Sequence, residues 1–106
     1  MTPTTFNYQP ITRAGLEQAY AAVDGVNGNR FQNDGRMFLH VKNGAGAPIN
    51  VLIAGRIDAN DLTVAVTNGE SRMIGPFPPN LYNDGDRRVQ VTYSSGTSVT
   101  AAVLRL

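Results

Sequence analysis

The chain has 106 residues, of which 42% are apolar, and it contains neither Cys nor Trp. That supplies one hydrophobic core and not two, so a single small domain is expected. Nine Lys and Arg against eight Asp and Glu leave a net charge of +1, which sets aside a strongly basic nucleic-acid binder and an acidic solvating tail. The absence of Cys removes disulfide frameworks, thiolate zinc sites, Fe–S clusters and cysteine nucleophiles together. No apolar run approaches the ~18 residues of a membrane span. Residues 1–6 show neither the basic start nor the apolar stretch of a signal peptide. A soluble protein with no nucleic-acid and no membrane partner is expected.

Ten Val, five Ile, nine Thr and eight Phe and Tyr fit the half-buried face of a pleated sheet. Eleven Gly and six Pro are spread along the chain, the punctuation of many short strands. In chain order, residues 8–12 and 28–32 are short strand candidates. Between them Leu16, Tyr20 and Val23 lie at helical spacing, but Gly15 and the short run argue for a turn with an irregular or short helical segment. Asn33-Asp34-Gly35 is a turn of the kind found in tight hairpins. Residues 37–42 then alternate, with Met37, Leu39 and Val41 on one face and Phe38, His40 and Lys42 on the other.

Pro48 opens a strand expected over residues 49–57, with Ile49, Val51, Ile53 and Ile57 facing together and a bend at Gly55. Leu62, Val64 and Val66 alternate with Thr63, Ala65 and Thr67. Asn68-Gly69 turns the chain into residues 71–74, and Gly75-Pro76-Phe77-Pro78-Pro79 predicts a stiff extended crossing with Phe77 inward. A last hairpin pairs residues 88–95 with 97–106. In its second strand Val99, Ala101 and Val103 hold one phase and Leu104 and Leu106 the other, from two-sided burial or a bulge. The fold class expected is all-β: a two-sheet antiparallel β-sandwich, with a jelly roll as its particular form and at most one short helix.

No catalytic constellation is visible, and the chain is read as a non-enzyme without cofactor or metal. His40 is the sole histidine; it lies inside a strand with no second ligand at metal spacing and no nucleophile elbow elsewhere. Two Asp/Asn clusters, Asp58-Asn60-Asp61 and Asn83-Asp84-Asp86, have the oxygens a hard cation wants but not the EF-hand spacing. Asp and Asn are also ordinary turn formers. Pro76 and Pro79 form a PxxP unit with Arg72 upstream, yet within a run of strands they serve better as a rigid link. Gly44 and Gly46 lack the following helix of a phosphate loop. Basic residues are scattered singly apart from Arg87-Arg88.

Residues 11–16, the block Asn33-Asp34-Gly35-Arg36-Met37-Phe38-Leu39-His40-Val41-Lys42-Asn43 and the block Arg72-Met73-Ile74-Gly75-Pro76-Phe77-Pro78-Pro79 resemble small proteins of tailed bacteriophages and actinobacterial prophages. Tyr82-Asn83-Asp84 and the close of the chain from Val91 belong to the same pattern. This group is similar to phage head decoration, or capsid cement, proteins. The departures lie in residues 17–29 and 54–61. The resemblance implies a structural virion protein, made in the host cytoplasm and placed on the outer surface of the head. Its implied partners are the major capsid protein and further copies of itself, a trimer being preferred, and it supplies no catalytic residues. Residues 1–10 are then expected as an N-terminal arm outside a single domain of residues 11–106. Phe6, Tyr8 and Pro10 become capsid or subunit contacts if that arm crosses a neighbour, the alternative being a frayed end. Many copies on one shell need only weak individual contacts, because linked binding raises avidity by ~10²–10⁴. A carbohydrate- or surface-binding β-sandwich module is the other reading; it calls for a row of exposed aromatics drawn from Phe38, Tyr82 and Tyr93.

Overall fold

The computed structural model describes residues 3–57 and 60–106. Its elements in chain order are β1 (Thr4–Thr5), β2 (Tyr8–Pro10), β3 (Ala21–Ala22), β4 (Asn29–Gln32), β5 (Met37–Asn43), β6 (Ile49–Ile53), β7 (Leu62–Val66), β8 (Ser71–Ile74), α1 (Pro79–Tyr82), β9 (Arg88–Tyr93) and β10 (Val99–Arg105). They form two sheets, ordered β1-β4-β9-β6-β7 and β2-β10-β5-β8, with β3 also on β10. Four of the antiparallel pairs are nested, β6 with β7, β5 with β8, β4 with β9 and β3 with β10, and the antiparallel pairs β5–β10 and β6–β9 join them within each sheet. A long hairpin rolled so that alternate rungs fall in opposite sheets has this order, which is the jelly roll. The all-β sandwich is thus the fold observed. β1 and β2 lie outside the roll and pair in parallel with β4 and β10, so the antiparallel rule holds for the roll and not for its added edge.

The alternating runs supply the core. Met37, Leu39 and Val41 of β5 face Ile49, Val51 and Ile53 of β6 and Val89 and Val91 of β9 across the sandwich, and all are buried. Phe31 and Phe77 meet at a tilt with ring centres 5.8 Å apart and Tyr82 meets Phe77 edge-on at 5.6 Å, so the proline-rich segment does turn Phe77 inward. β10 is buried on both faces: Val99, Ala101 and Val103 toward the core, Ala102 and Leu104 on the other side. Two-sided burial therefore explains its change of phase, and no bulge is needed.

Three expectations are corrected. β6 ends at Ile53 instead of running to Ile57. A Cβ on Gly55 would stand 2.6 Å from Asn60, so the chain turns there, and Ile57 is 62% exposed instead of facing the core. The only α-helix among the described residues is α1, which begins at Pro79, the last residue of the segment expected to be an extended crossing, while residues 75–78 form no helix. Proline at its start has the helical φ already set and no N–H to leave unpaired. The turn with an irregular segment expected before β3 is what forms: residues 13–20 turn ahead of Gly15 (φ 99°) and run on as a strap without regular structure. The Gln9 side-chain amide takes both the N–H and the C=O of Ala19, at 2.8 Å each, and so holds the strap open. Finally, Asn33-Asp34-Gly35 and Ser95-Gly96 do not close hairpins: each carries the chain from one sheet to the other. Turn chemistry marks where the chain reverses, while the partner strand is chosen by which face must be buried.

Candidate interaction surface

Residues 3–10, set apart above as an arm, are stitched along one side of the sandwich. Thr4 and Phe6 donate backbone bonds to the carbonyls of Gly28 (3.1 Å) and Arg30 (2.9 Å), and Ile11 donates to Arg105 (2.8 Å). Thr4 also donates its hydroxyl to Asp24 (2.8 Å), and its carbonyl accepts from Asn29 (3.0 Å). The chain leaves one sheet after β1 and joins the other at β2. Phe6 is half-buried against the core, Tyr8 is 44% exposed and Pro10 is exposed at the sheet edge.

Tyr8 and Gln32 are shared by two adjoining clefts at this end of the roll. One, of about 410 Å³, is lined by Asp34, Met37, Asp86, Arg87 and Arg105 as well. The other, of about 250 Å³, adds Phe6, Asn7 and Arg88. Two turns build the walls: Asn33 and Asp34 accept from the N–H groups of Gly35 and Arg36 (both 3.0 Å), and Asp84 accepts from Asp86 (2.8 Å) and Arg88 (3.1 Å). Arg105 donates through Nε and Nη2 to one oxygen of Asp34 (3.0 and 2.8 Å). That bond holds the Asp34 carboxyl below the usual carboxylate range. Arg87 is held at φ 63° and makes no ion pair among the described residues. Arg88 Nε is buried without a hydrogen-bond partner. An exposed aromatic ring beside guanidinium and carboxylate groups is contact chemistry: it offers apolar area and charge-assisted bonds. Of the cleft residues, the sequence offered Phe6 and Tyr8 as contacts, Asp34 as a turn former, Asp86 as part of an acidic cluster and Arg87-Arg88 as an exception to scattered charge; it did not single out Arg105 or Gln32.

His40 lies on the outer face of β5. The Tyr20 hydroxyl meets its Nδ1, and the ammonium of Lys42 sits 4.1 Å from the centre of the Tyr20 ring. Desolvation first, and the nearby Lys42 charge second, lower its pKa from the ordinary imidazole value. No carboxylate is bonded to it among the described residues, and no group of three or more His, Asp or Glu converges as a metal site there. The acidic clusters are occupied by turn bonds. Asp61 accepts from Gly55 N–H (2.7 Å), and buried Asn83 exchanges bonds with Asn33 (2.7 and 3.0 Å); Asp58 lies outside the described residues. Tyr82 packs against Phe77, and Tyr93 is packed against the core with its phenol buried, which with the Asp24 charge pushes its pKa far up. Phe38 is half-buried.

No family model, curated protein or solved structure matches this chain.

Proposed function

We propose that this protein is a phage head decoration protein, which binds the major capsid protein on the outer surface of the head and stabilises the shell. It acts as a homo-oligomer, a trimer being the preferred state. The observation that carries the reading is the pair of sequence blocks at residues 33–43 and 72–79. They lie side by side in one sheet: β5 pairs with β8, Leu39 opposite Ile74 and His40 opposite Met73, and Asn33 at the head of the first block bonds the Phe77 carbonyl in the second (2.9 Å). Blocks coupled in this way belong to the scaffold, so the capsid contacts are sought elsewhere, at the Tyr8 clefts.

Jelly rolls serve as viral coat domains and as lectins alike, so the fold favours neither reading, and the residues must decide. Two of the three aromatics a carbohydrate platform would use, Tyr82 and Tyr93, are packed against the core. The experiment is co-sedimentation of the purified protein with undecorated heads. Saturable binding is expected, weakened by Tyr8→Ala and by Arg87→Ala; failure of the folded wild-type protein to bind refutes the role.

A further inference from the structure

The free edge at β7 lacks the usual guards of an exposed strand. At the other long edge on that side, β8 carries Arg72 at the core-facing position opposite Val41, paired to Glu70 at 2.9 Å, and ends at Gly75-Pro76. The opposite edges are short, and β2 ends in Pro10. An inward-phase charge, a proline or a short run each discourages pairing with another chain. β7, Leu62-Thr63-Val64-Ala65-Val66, has none of these.

The ladder tells which of its amides are open. Ser94 N–H donates to the Asn50 carbonyl and Ala54 N–H to that of Gln90, both at 2.9 Å. Even-numbered residues of β6 therefore address β9, and the odd-numbered ones address β7, where they meet Leu62, Val64 and Val66. Thr63 and Ala65 then direct N–H and C=O away from the sheet. Neither enters a turn or loop bond among the described residues.

We propose that β7 pairs with β7 of a second copy of this chain, antiparallel about a two-fold axis through Val64. The strand is self-complementary in that register. Thr63 of each copy exchanges both amide bonds with Ala65 of the other, and Leu62 falls opposite Val66. Leu62 and Val64, only half-buried in one copy, gain cross-strand neighbours. Charge allows it: β7 itself carries no charged residue, and Asp61 falls opposite Thr67. The two sheets become one continuous sheet, an isologous contact distinct from any three-fold interface. It goes beyond the decoration role and needs no capsid.

Sedimentation velocity over a range of concentrations tests it. The wild-type mass rises with concentration, and Ala65→Pro, which removes an N–H unused within the chain, weakens that association about tenfold or more. Ala65→Lys at the same exposed position repeats the effect in case the proline variant fails to fold. The inference is overturned if the wild type stays at the mass of a monomer or of a trimer over the whole range, or if a folded Ala65→Lys protein associates as the wild type does. Head binding is read separately, so failure here leaves the decoration reading intact, and the reverse.

Discussion

Asn33 and Asn83 show how a polar residue can be structural in a small all-β protein. Both are buried, and together they link the turn before β5, the Phe77 carbonyl and the end of α1. Asn33→Ala removes the side-chain bonds to the Phe77 carbonyl, to Asn83 Oδ1 and from Gly35 N–H. It leaves Asn83 Oδ1 without a donor while the Asn83 amide N–H keeps the Asn33 backbone carbonyl, so a loss of about 2–3 kcal/mol is expected in urea unfolding. Gly28 is a second such position. Its φ is 81°, and a Cβ would meet the Val91 carbonyl at 2.5 Å; Gly28→Ala is expected to cost at least about 2 kcal/mol in the same measurement. His40 makes a pH prediction. Its pKa is lower in the folded chain than in the unfolded one, so protonation favours unfolding. Its contribution is present above about pH 6.5 and is lost as pH falls through the folded value. His40→Gln is expected to flatten that part of the stability profile; an unchanged slope would show that another group titrates there.

At the scale of elements, alternation made β5, β7 and β9 legible, because one buried face leaves a period of two in the sequence. What the pattern could not carry was contact at a distance. Nothing near Leu16 and Tyr20 tells that Gln9 will hold Ala19, or that Ala19 and Tyr20 will come to lie beside Ala102 of β10. The Tyr8 clefts were illegible for the same reason, since Tyr8, Asp34, Arg87 and Arg105 meet only when β2, β10 and two turns converge. The strap is held on the β5 face by Tyr20, through its bond to His40 and the Lys42 ammonium over its ring. Tyr20→Ala is expected to cost about 1–2 kcal/mol. Hydrogen exchange should speed up at Ala19 while the Val103 amide in β10 keeps its protection. Equal acceleration at both would mean that the strap and the roll open as one unit.

For the molecule as a whole, the first ten residues decide how the head-binding experiment can be read. A free arm could be removed without harm to the domain, and deletion would then isolate its contribution to binding. Here residues 4–10 supply an edge strand to each sheet, and Phe6 packs against the core. Deleting residues 1–9 strips β1 from β4, which keeps β9, takes most of β2 from β10 and uncovers apolar surface under Phe6. At roughly 1 kcal/mol for each lost backbone bond and a similar amount for half a phenylalanine, stability should fall by about 3 kcal/mol or more. The roll itself keeps its nested pairs, so the far-UV spectrum of the truncated protein should remain that of a β protein at low temperature. Its denaturation midpoint should drop, and its bared edges should make it prone to aggregate. Tyr8→Ala removes an exposed ring and leaves the β2 backbone in place, so its midpoint should stay near that of the wild type. Binding to heads that is lost in the truncation and kept in Tyr8→Ala is therefore a folding defect, whereas loss in Tyr8→Ala at an unchanged midpoint locates the contact at the cleft. A truncated protein as stable as the full chain would show that the edge strands contribute nothing to the fold.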